Sequence, residues 1–183
     1  IKSANEIKYA LEKAYFFANE GRPGPVLIDV PMNFQREKID LQNQKLFIPP
    51  KIKSNNKIKD QIHKIKKLLI QSKKPILILG GGIRMSGAIS ELEKFLKKIE
   101  LPIVTTWSGL DTMDYHNKDY IGCVGVYGSR AANFAVQNSD LIINLGSRLD
   151  TRVTGGKPET FARSAKIISI DVDKYELDKK RGL

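Results

Sequence analysis

The stretch "DLIINL", residues 140–145, followed by "GSRLDTRVTGG", residues 146–156, is the most informative part of the sequence. The first six residues are too apolar for a surface and predict a buried strand. The next eleven place Arg148, Asp150 and Arg152 in a loop flanked by glycines. Ligands of α/β proteins bind at loops that follow buried strands. The stretch therefore indicates either a ligand-binding loop or a solvated surface loop, and the segments around it decide which.

Apolar strands alternate with amphipathic helices on both sides of that stretch. Strands are predicted at residues 75–81, 102–107, 140–146 and 165–173, and helices at residues 57–72, 86–99 and 129–137. The last helix is expected to turn Ala131, Phe134 and Ala135 inward. This alternation predicts an α/β fold, with a doubly wound, mostly parallel, Rossmann-like sheet and helices on both faces.

The first part of the chain follows a different pattern. A helix is predicted at residues 3–21, with a capping box of Ser3 and Glu6 at its start, and a short buried strand at residues 26–30. Residues 35–56 have the polar composition of a linker. We therefore expect three parts, at residues 1–34, 35–56 and 57–183. One helix and one strand cannot build a sheet, so the first part is expected to pack poorly by itself.

Composition excludes several protein classes. The single cysteine, Cys123, rules out a disulfide within these 183 residues and fits a reducing compartment, so we expect a cytoplasmic protein. No run reaches the roughly 18 apolar residues of a membrane helix, and the start does not resemble a signal peptide. No metal site is expected, because His63 and His116 have no ligands at suitable spacing.

The net charge of +11 raises the question of nucleic-acid binding. Most of the excess lies in residues 1–74, which contain 16 Lys and Arg against 7 Asp and Glu. Its densest part, residues 51–67, has no aromatic residue that could stack on a base. These lysines are typical of solvated helix faces, and we expect no nucleic-acid partner.

The loops after the predicted strands share one edge of the sheet, because parallel strands all end there. Glycines 80–82 allow close approach of a ligand and offer N–H groups to a phosphate, or else they form a tight turn. Arg148 and Arg152 can pair with a pyrophosphate, and Asp171 can bond a ribose hydroxyl. The spacing does not match G-x-G-x-x-G, since Met85 takes the last glycine's place. Together these loops predict a nucleotide-sized ligand with a pyrophosphate.

Five segments also resemble a known enzyme family. "GRPGPVLIDVP" (residues 21–31) resembles the end of the pyrimidine-binding domain of thiamine-diphosphate enzymes. Four more resemble the central domain of the acetolactate synthase group: "KKPILILGGGI" (73–83), "LPIVTTWSGLD" (101–111), "YIGCVGVYGSRAANFAVQNSDLIINLGSRLDTRVTG" (120–155) and "AKIISIDVD" (165–173). The resemblance implies that residues 1–34 end the pyrimidine-binding domain and that 57–183 belong to the central domain.

In that family the central domain of acetolactate synthase holds FAD. The resemblance implies flavin contacts at the strand ends, namely Gly80, Gly81, Gly82, Thr105, Thr106, Gly125, Val126, Tyr127, Gly128, Gly146, Ser147, Arg148, Asp150, Arg152, Val153 and Asp171. Two positions depart from the family's pattern. Trp107 replaces a smaller apolar residue, and Tyr127 replaces the histidine of a "GMHG" loop.

The resemblance further implies a transferase or lyase of branched-chain amino acid biosynthesis. Such an enzyme uses thiamine diphosphate and Mg²⁺ to decarboxylate a 2-keto acid and to join the product to a second acceptor, and it forms a homo-oligomer, a dimer or a tetramer. The family's catalytic glutamate would precede this sequence, and its "GDG" motif would follow it. The 183 residues contain no "GDG". We therefore expect no catalytic residue here and no activity of this chain alone.

Two alternatives stay open from the sequence. The chain is also compatible with the central domain of another thiamine-diphosphate enzyme that binds no FAD. A different class altogether is an independent Rossmann-type module that binds a nucleotide. A glutamate upstream and a "GDG" motif downstream in a longer sequence would separate these readings.

Overall fold

A computed structural model describes residues 1–51 and 58–179 of the chain, which divides into two compact units, Ile1–Asn55 and Asn56–Leu183. The parts of the expected linker and of the following helix that fall on residues 52–57 lie outside the described residues. None of the helices among the described residues is long and apolar enough to cross a membrane.

The first unit is built on one helix. A 3-10 turn, Ala4–Glu6, leads into α1, Ile7–Asn19, and a short helix, α2, covers Met32–Gln35. Ser3 caps the turn by accepting a hydrogen bond from the Asn5 N–H at 3.3 Å. The rings of Phe16 and Phe47 pack 5.5 Å apart, which fixes the later chain against α1. The predicted helix is therefore confirmed.

Two details of this unit differ from the prediction. The Glu6 carboxylate accepts from the Lys2 N–H and not from the Ser3 N–H, so the capping box is only half formed. Residues 26–30 form no strand, and Leu27 is 93% exposed. The reason is that a strand needs a partner strand for its backbone hydrogen bonds, and the described part of this unit contains none.

The second unit contains a five-stranded parallel sheet. Its strands are β1 (Pro75–Leu79), β2 (Ile103–Thr105), β3 (Tyr120–Cys123), β4 (Leu141–Leu145) and β5 (Lys166–Ile170). They lie in the order β3-β2-β1-β4-β5, and every neighbouring pair is parallel. The helices are α3 (Ile58–Gln71), α4 (Gly82–Met85), α5 (Ile89–Leu96), α6 (Arg130–Gln137), α7 (Thr151–Thr154) and α8 (Lys174–Leu177).

The central strands bury side chains on both faces of the sheet. Along β1, Ile76 and Ile78 enter one core with residues of α6, while Leu77 and Leu79 enter the other with residues of α3 and α5. Strands covered on both faces read as continuous apolar runs, which is why the sequence pattern revealed them. The doubly wound, Rossmann-like α/β fold is confirmed.

Two local predictions in this unit are wrong. Residues 120–123 were expected to belong to a loop, but they form the edge strand β3. On α6, Ala132 and Val136 face the core, whereas Phe134 is 64% exposed. A Cβ on Gly122 of β3 would lie 3.9 Å from the Ala132 Cβ, so the helix approaches the strand too closely for a phenyl ring.

Candidate functional site

The carboxyl ends of all five strands lie at one edge of the sheet, because every strand pair is parallel. The strand order reverses between β1 and β4, which is the place where open α/β sheets bind ligands. The predicted site residues follow the five strands at this edge or end them: Gly80, Gly81, Gly82, Thr105, Thr106, Gly125, Val126, Tyr127, Gly128, Gly146, Ser147, Arg148, Asp150, Arg152, Val153 and Asp171.

The loops after β1 and β4 touch backbone to backbone at this reversal. The Gly80 N–H donates to the Leu145 carbonyl at 2.9 Å, and the Gly82 N–H donates to the Gly146 carbonyl at 3.0 Å. A Cβ on Gly82 would lie 2.9 Å from the Gly146 Cα, so no larger residue fits. Of the three glycine N–H groups expected to face a phosphate, only that of Gly81 donates no hydrogen bond within the described residues.

The two threonines at the end of β2 are held by the protein itself. Thr105 and Thr106 are buried, and the Thr105 hydroxyl lies 2.9 Å from the hydroxyl of Tyr120 on β3. The Thr106 N–H donates to the Leu79 carbonyl at 2.9 Å, which ties the loop after β2 to β1. These side chains shape the floor of the edge, and their hydroxyls face neighbouring residues.

The loop after β3 is fixed against α6 and α7. The side-chain amide of Asn133 bonds both the N–H and the carbonyl of Gly125, each at 2.9 Å. The Val126 N–H donates to the Arg152 carbonyl at 2.8 Å. Gly125 has a φ of +115°, a conformation that favours glycine. The loops after β3 and β4 therefore form one continuous surface.

Two exposed aromatic rings stand on this surface. The rings of Trp107, after β2, and Tyr127, after β3, lie 5.3 Å apart at an angle of 59°. Their exposed fractions are 62% and 75%. Exposed rings in contact form an apolar platform on which a planar ring system can stack.

The loop after β4 brings in the cationic groups. Asp150 caps α7 by accepting from the Arg152 N–H at 3.0 Å. The Arg152 side chain is exposed and makes no hydrogen bond or ion pair within residues 1–51 and 58–179. Upstream, the Asn144 amide donates to the Ser147 carbonyl at 2.7 Å. These contacts position the loop and leave one guanidinium open to solvent.

Arg148 has a partner that the sequence reading missed. Its Nε donates to Glu176 Oε1 on α8 at 3.1 Å, and Lys179 Nζ donates to the same carboxylate at 2.6 Å. Burial of Glu176 would raise its pKa, but the hydrogen bonds and charges of Lys179 and Arg148 hold the pKa below its ordinary value. The carboxylate is therefore ionised at neutral pH, and it faces two cations.

Asp171 follows β5 and bonds locally. Its Oδ1 accepts from the Asp173 N–H at 2.9 Å, which forms a turn into α8. The edge as a whole thus offers cations, one free N–H, a carboxylate and two aromatic rings. Such groups bind an anionic nucleotide. Within the described residues, no group of three or more His, Cys, Asp or Glu could hold a metal ion.

Comparison with known proteins identifies the family. The sequence pattern of the family described as "Thiamine pyrophosphate enzyme, central domain" matches residues 62–182. The chain belongs to this family.

Relatives agree with this assignment. The chain is 37% identical to the acetolactate synthase large subunit of Cyanidium caldarium, over 99% of the chain and 32% of that protein. It is 35% identical to the acetolactate synthase isozyme 2 large subunit of Escherichia coli, over 99% of the chain and 32% of that protein. A probable acetolactate synthase large subunit of Methanocaldococcus jannaschii is 38% identical over 98% of the chain and 31% of its own length. The chain thus spans about a third of these relatives.

Two features of this central domain stand out against the family resemblance. Trp107 and Tyr127, the two positions that depart from the acetolactate synthase pattern, are the two rings that contact each other. Asn133 and Glu176 were missed because each binds a partner that lies in another element. The only local signal for Glu176 was an acidic residue in a short helix after the last strand, which is too common to single it out.

Proposed function

We propose that this chain is the central domain of a thiamine-diphosphate- and Mg²⁺-dependent enzyme that decarboxylates a 2-keto acid and joins the product to a second acceptor. The observation that supports this most is identity of 35–37% along 99% of the chain with proteins named acetolactate synthase. In this proposal residues 1–34 end the pyrimidine-binding domain, and the whole protein is a cytoplasmic homo-oligomer. The central domain itself supplies no catalytic residue.

We propose further that FAD binds across the strand-end edge of this domain. The residues present fit the group: the free Gly81 N–H and the guanidinium groups of Arg148 and Arg152 match a diphosphate. The rings of Trp107 and Tyr127 offer a platform for a planar ring. Asp171 retains one carboxylate oxygen with no hydrogen bond from the described residues, which suits a ribose hydroxyl. FAD supplies a redox-active flavin, and in this proposal the protein's residues only bind and orient it.

The arginines carry the test of this proposal. A charge-assisted hydrogen bond contributes about 1.5–3 kcal/mol, so loss of one should weaken affinity roughly 10- to 150-fold. We expect Arg148→Ala to lower FAD affinity by this factor, as measured by titration with quenching of flavin fluorescence. Circular dichroism of the variant checks that its fold is retained.

The chain offers a matched control. Arg163 is exposed and precedes β5, so it lies at the opposite edge of the sheet. Arg163→Ala removes the same charge and should leave FAD affinity within about twofold, because exposed charges beyond a Debye length are screened. Equal weakening by both variants would mean that only net charge matters. Unchanged affinity in Arg148→Ala would refute the diphosphate position, and absence of binding by the wild type would refute FAD.

The catalytic part of the proposal has a separate test. The 183-residue chain with pyruvate, thiamine diphosphate and Mg²⁺ should form no acetolactate, because the family's catalytic glutamate and "GDG" motif are not among its residues. The full-length protein that contains this chain should form acetolactate under the same conditions. Turnover by the 183 residues alone, or none by the full-length protein, would contradict this division of roles.

A further inference from the structure

The Arg148–Glu176 ion pair places a buried carboxylate behind one of the two arginines of the strand-end edge. The Glu176 side chain is 6% exposed, whereas that of Arg148 is 49% exposed. The contact joins the loop after β4 to α8, 28 residues later in the chain. A carboxylate so deeply buried is rare unless cations pair with it.

The geometry divides the guanidinium into two sides. Its Nε donates to Glu176, while neither Nη group of Arg148 donates a hydrogen bond within the described residues. Arginine presents its donors in a planar fork, so fixing the Nε side also fixes the direction of the two Nη groups. Lys179 binds both oxygens of Glu176 at 2.6 Å and thereby holds the carboxylate in place.

We propose that Glu176 is a positioning residue that holds Arg148 ready for the diphosphate of a bound nucleotide. This inference rests on the proposed nucleotide site, and it extends that site to α8. An arginine without this anchor has many rotamers, and ordering such a side chain on binding opposes affinity. The anchor removes much of that cost before the ligand arrives.

The experiment measures FAD affinity of the full chain for four variants: Arg148→Ala, Glu176→Ala, Glu176→Gln and the double variant Arg148→Ala/Glu176→Ala. Glu176→Ala should weaken binding about 3- to 10-fold, the effect of leaving one long side chain to be ordered by the ligand. Glu176→Gln keeps an oxygen that accepts from Nε, and should bind within about threefold of the wild type. In the Arg148→Ala background, Glu176→Ala should cost less than about twofold, because its effect acts through Arg148.

The competing explanations predict different signs. If Glu176 only neutralised Arg148, both Glu176 variants would bind an anion more tightly than the wild type, and the inference would fail. If it only stabilised the fold, Glu176→Ala would weaken binding equally with and without Arg148, and this too would overturn the inference. Asp178→Ala, which removes an exposed acid two residues away, is the matched control and should leave affinity unchanged.

The two levels of the proposal fail separately. If Arg148→Ala weakens FAD binding but Glu176→Ala does not, the nucleotide site stands and the positioning role is wrong. If Arg148→Ala binds as the wild type does, or the wild type does not bind, the nucleotide site itself is wrong and the positioning role falls with it.

Discussion

Gly80→Ala tests whether the loops after β1 and β4 must pack backbone to backbone. A Cβ at position 80 would lie 2.6 Å from both the carbonyl carbon of Gly146 and the Cβ of Ser147. The φ of Gly80 is not in the left-handed region, so the cost is one of contact alone. Overpacking of this kind destabilises by about 1–3 kcal/mol. Because one neighbour is backbone that no rotamer change can move, we expect a value near 3 kcal/mol.

Urea unfolding followed by Trp107 fluorescence measures this effect. Trp107 is the only tryptophan and belongs to the unit that holds the sheet. With a slope of about 2 kcal/mol per molar urea, a loss near 3 kcal/mol lowers the unfolding midpoint by about 1.5 M. Circular dichroism followed in the same titration shows whether the sheet unfolds together with the fluorescence change.

A second glycine provides the control. A Cβ on Gly156 meets nothing within 4 Å, and its φ is not in the left-handed region. Gly156→Ala should therefore leave the midpoint unchanged or raise it slightly, because alanine reduces the freedom of the unfolded chain. Equal midpoints for Gly80→Ala and Gly156→Ala would refute the reasoning, since the two loops would then separate at no cost.

Three further predictions follow from single contacts. Ser129 caps α6 by accepting from the Ala132 N–H at 3.1 Å, and Ser129→Ala should destabilise by about 1 kcal/mol in urea unfolding. Asn133→Ala removes both hydrogen bonds to the Gly125 backbone and should destabilise by about 1–3 kcal/mol, with faster amide exchange at Gly125. Because the folded pKa of Glu176 is depressed, the carboxylate stabilises the fold above its unfolded pKa, near 4.5, and this contribution is lost as pH falls further; Glu176→Gln should flatten that loss in unfolding midpoints measured from pH 6 to 3.

Local pattern was sufficient for most of the sheet. The runs that became β1 and β4 are apolar without interruption, because both faces of these strands are covered. The edge strand β3 has the sequence "YIGC", which is short, contains a glycine and is only half-buried, so its composition resembles a loop. Residues 26–30 failed in the opposite direction: they have strand composition but no partner strand within the described part of their unit.

The choice of a helix face depends on the neighbouring element. The periodicity of α6 allowed a stripe through Phe134 as well as one through Ala132 and Val136. Gly122 on β3 brings the strand close to the helix, and at that distance only the alanine fits. Composition favours burial of the larger side chain, whereas packing against a fixed backbone favours the smaller one. No local pattern contains that distance.

The candidate site divides in the same way. Glycines and arginines after apolar strands could be located from sequence, because the end of a parallel strand fixes the edge to which its loop belongs. Their tasks depend on contacts across the fold. Gly80 and Gly82 use their N–H groups on the loop after β4, and only Gly81 keeps its own. Arg148 is anchored by a glutamate 28 residues away, whereas Arg152, only four residues from it, is open to solvent. Two arginines that look equivalent in sequence therefore have different roles. The pre-anchored Arg148 can fix the orientation of a diphosphate, and the free Arg152 can add charge once the ligand is in place.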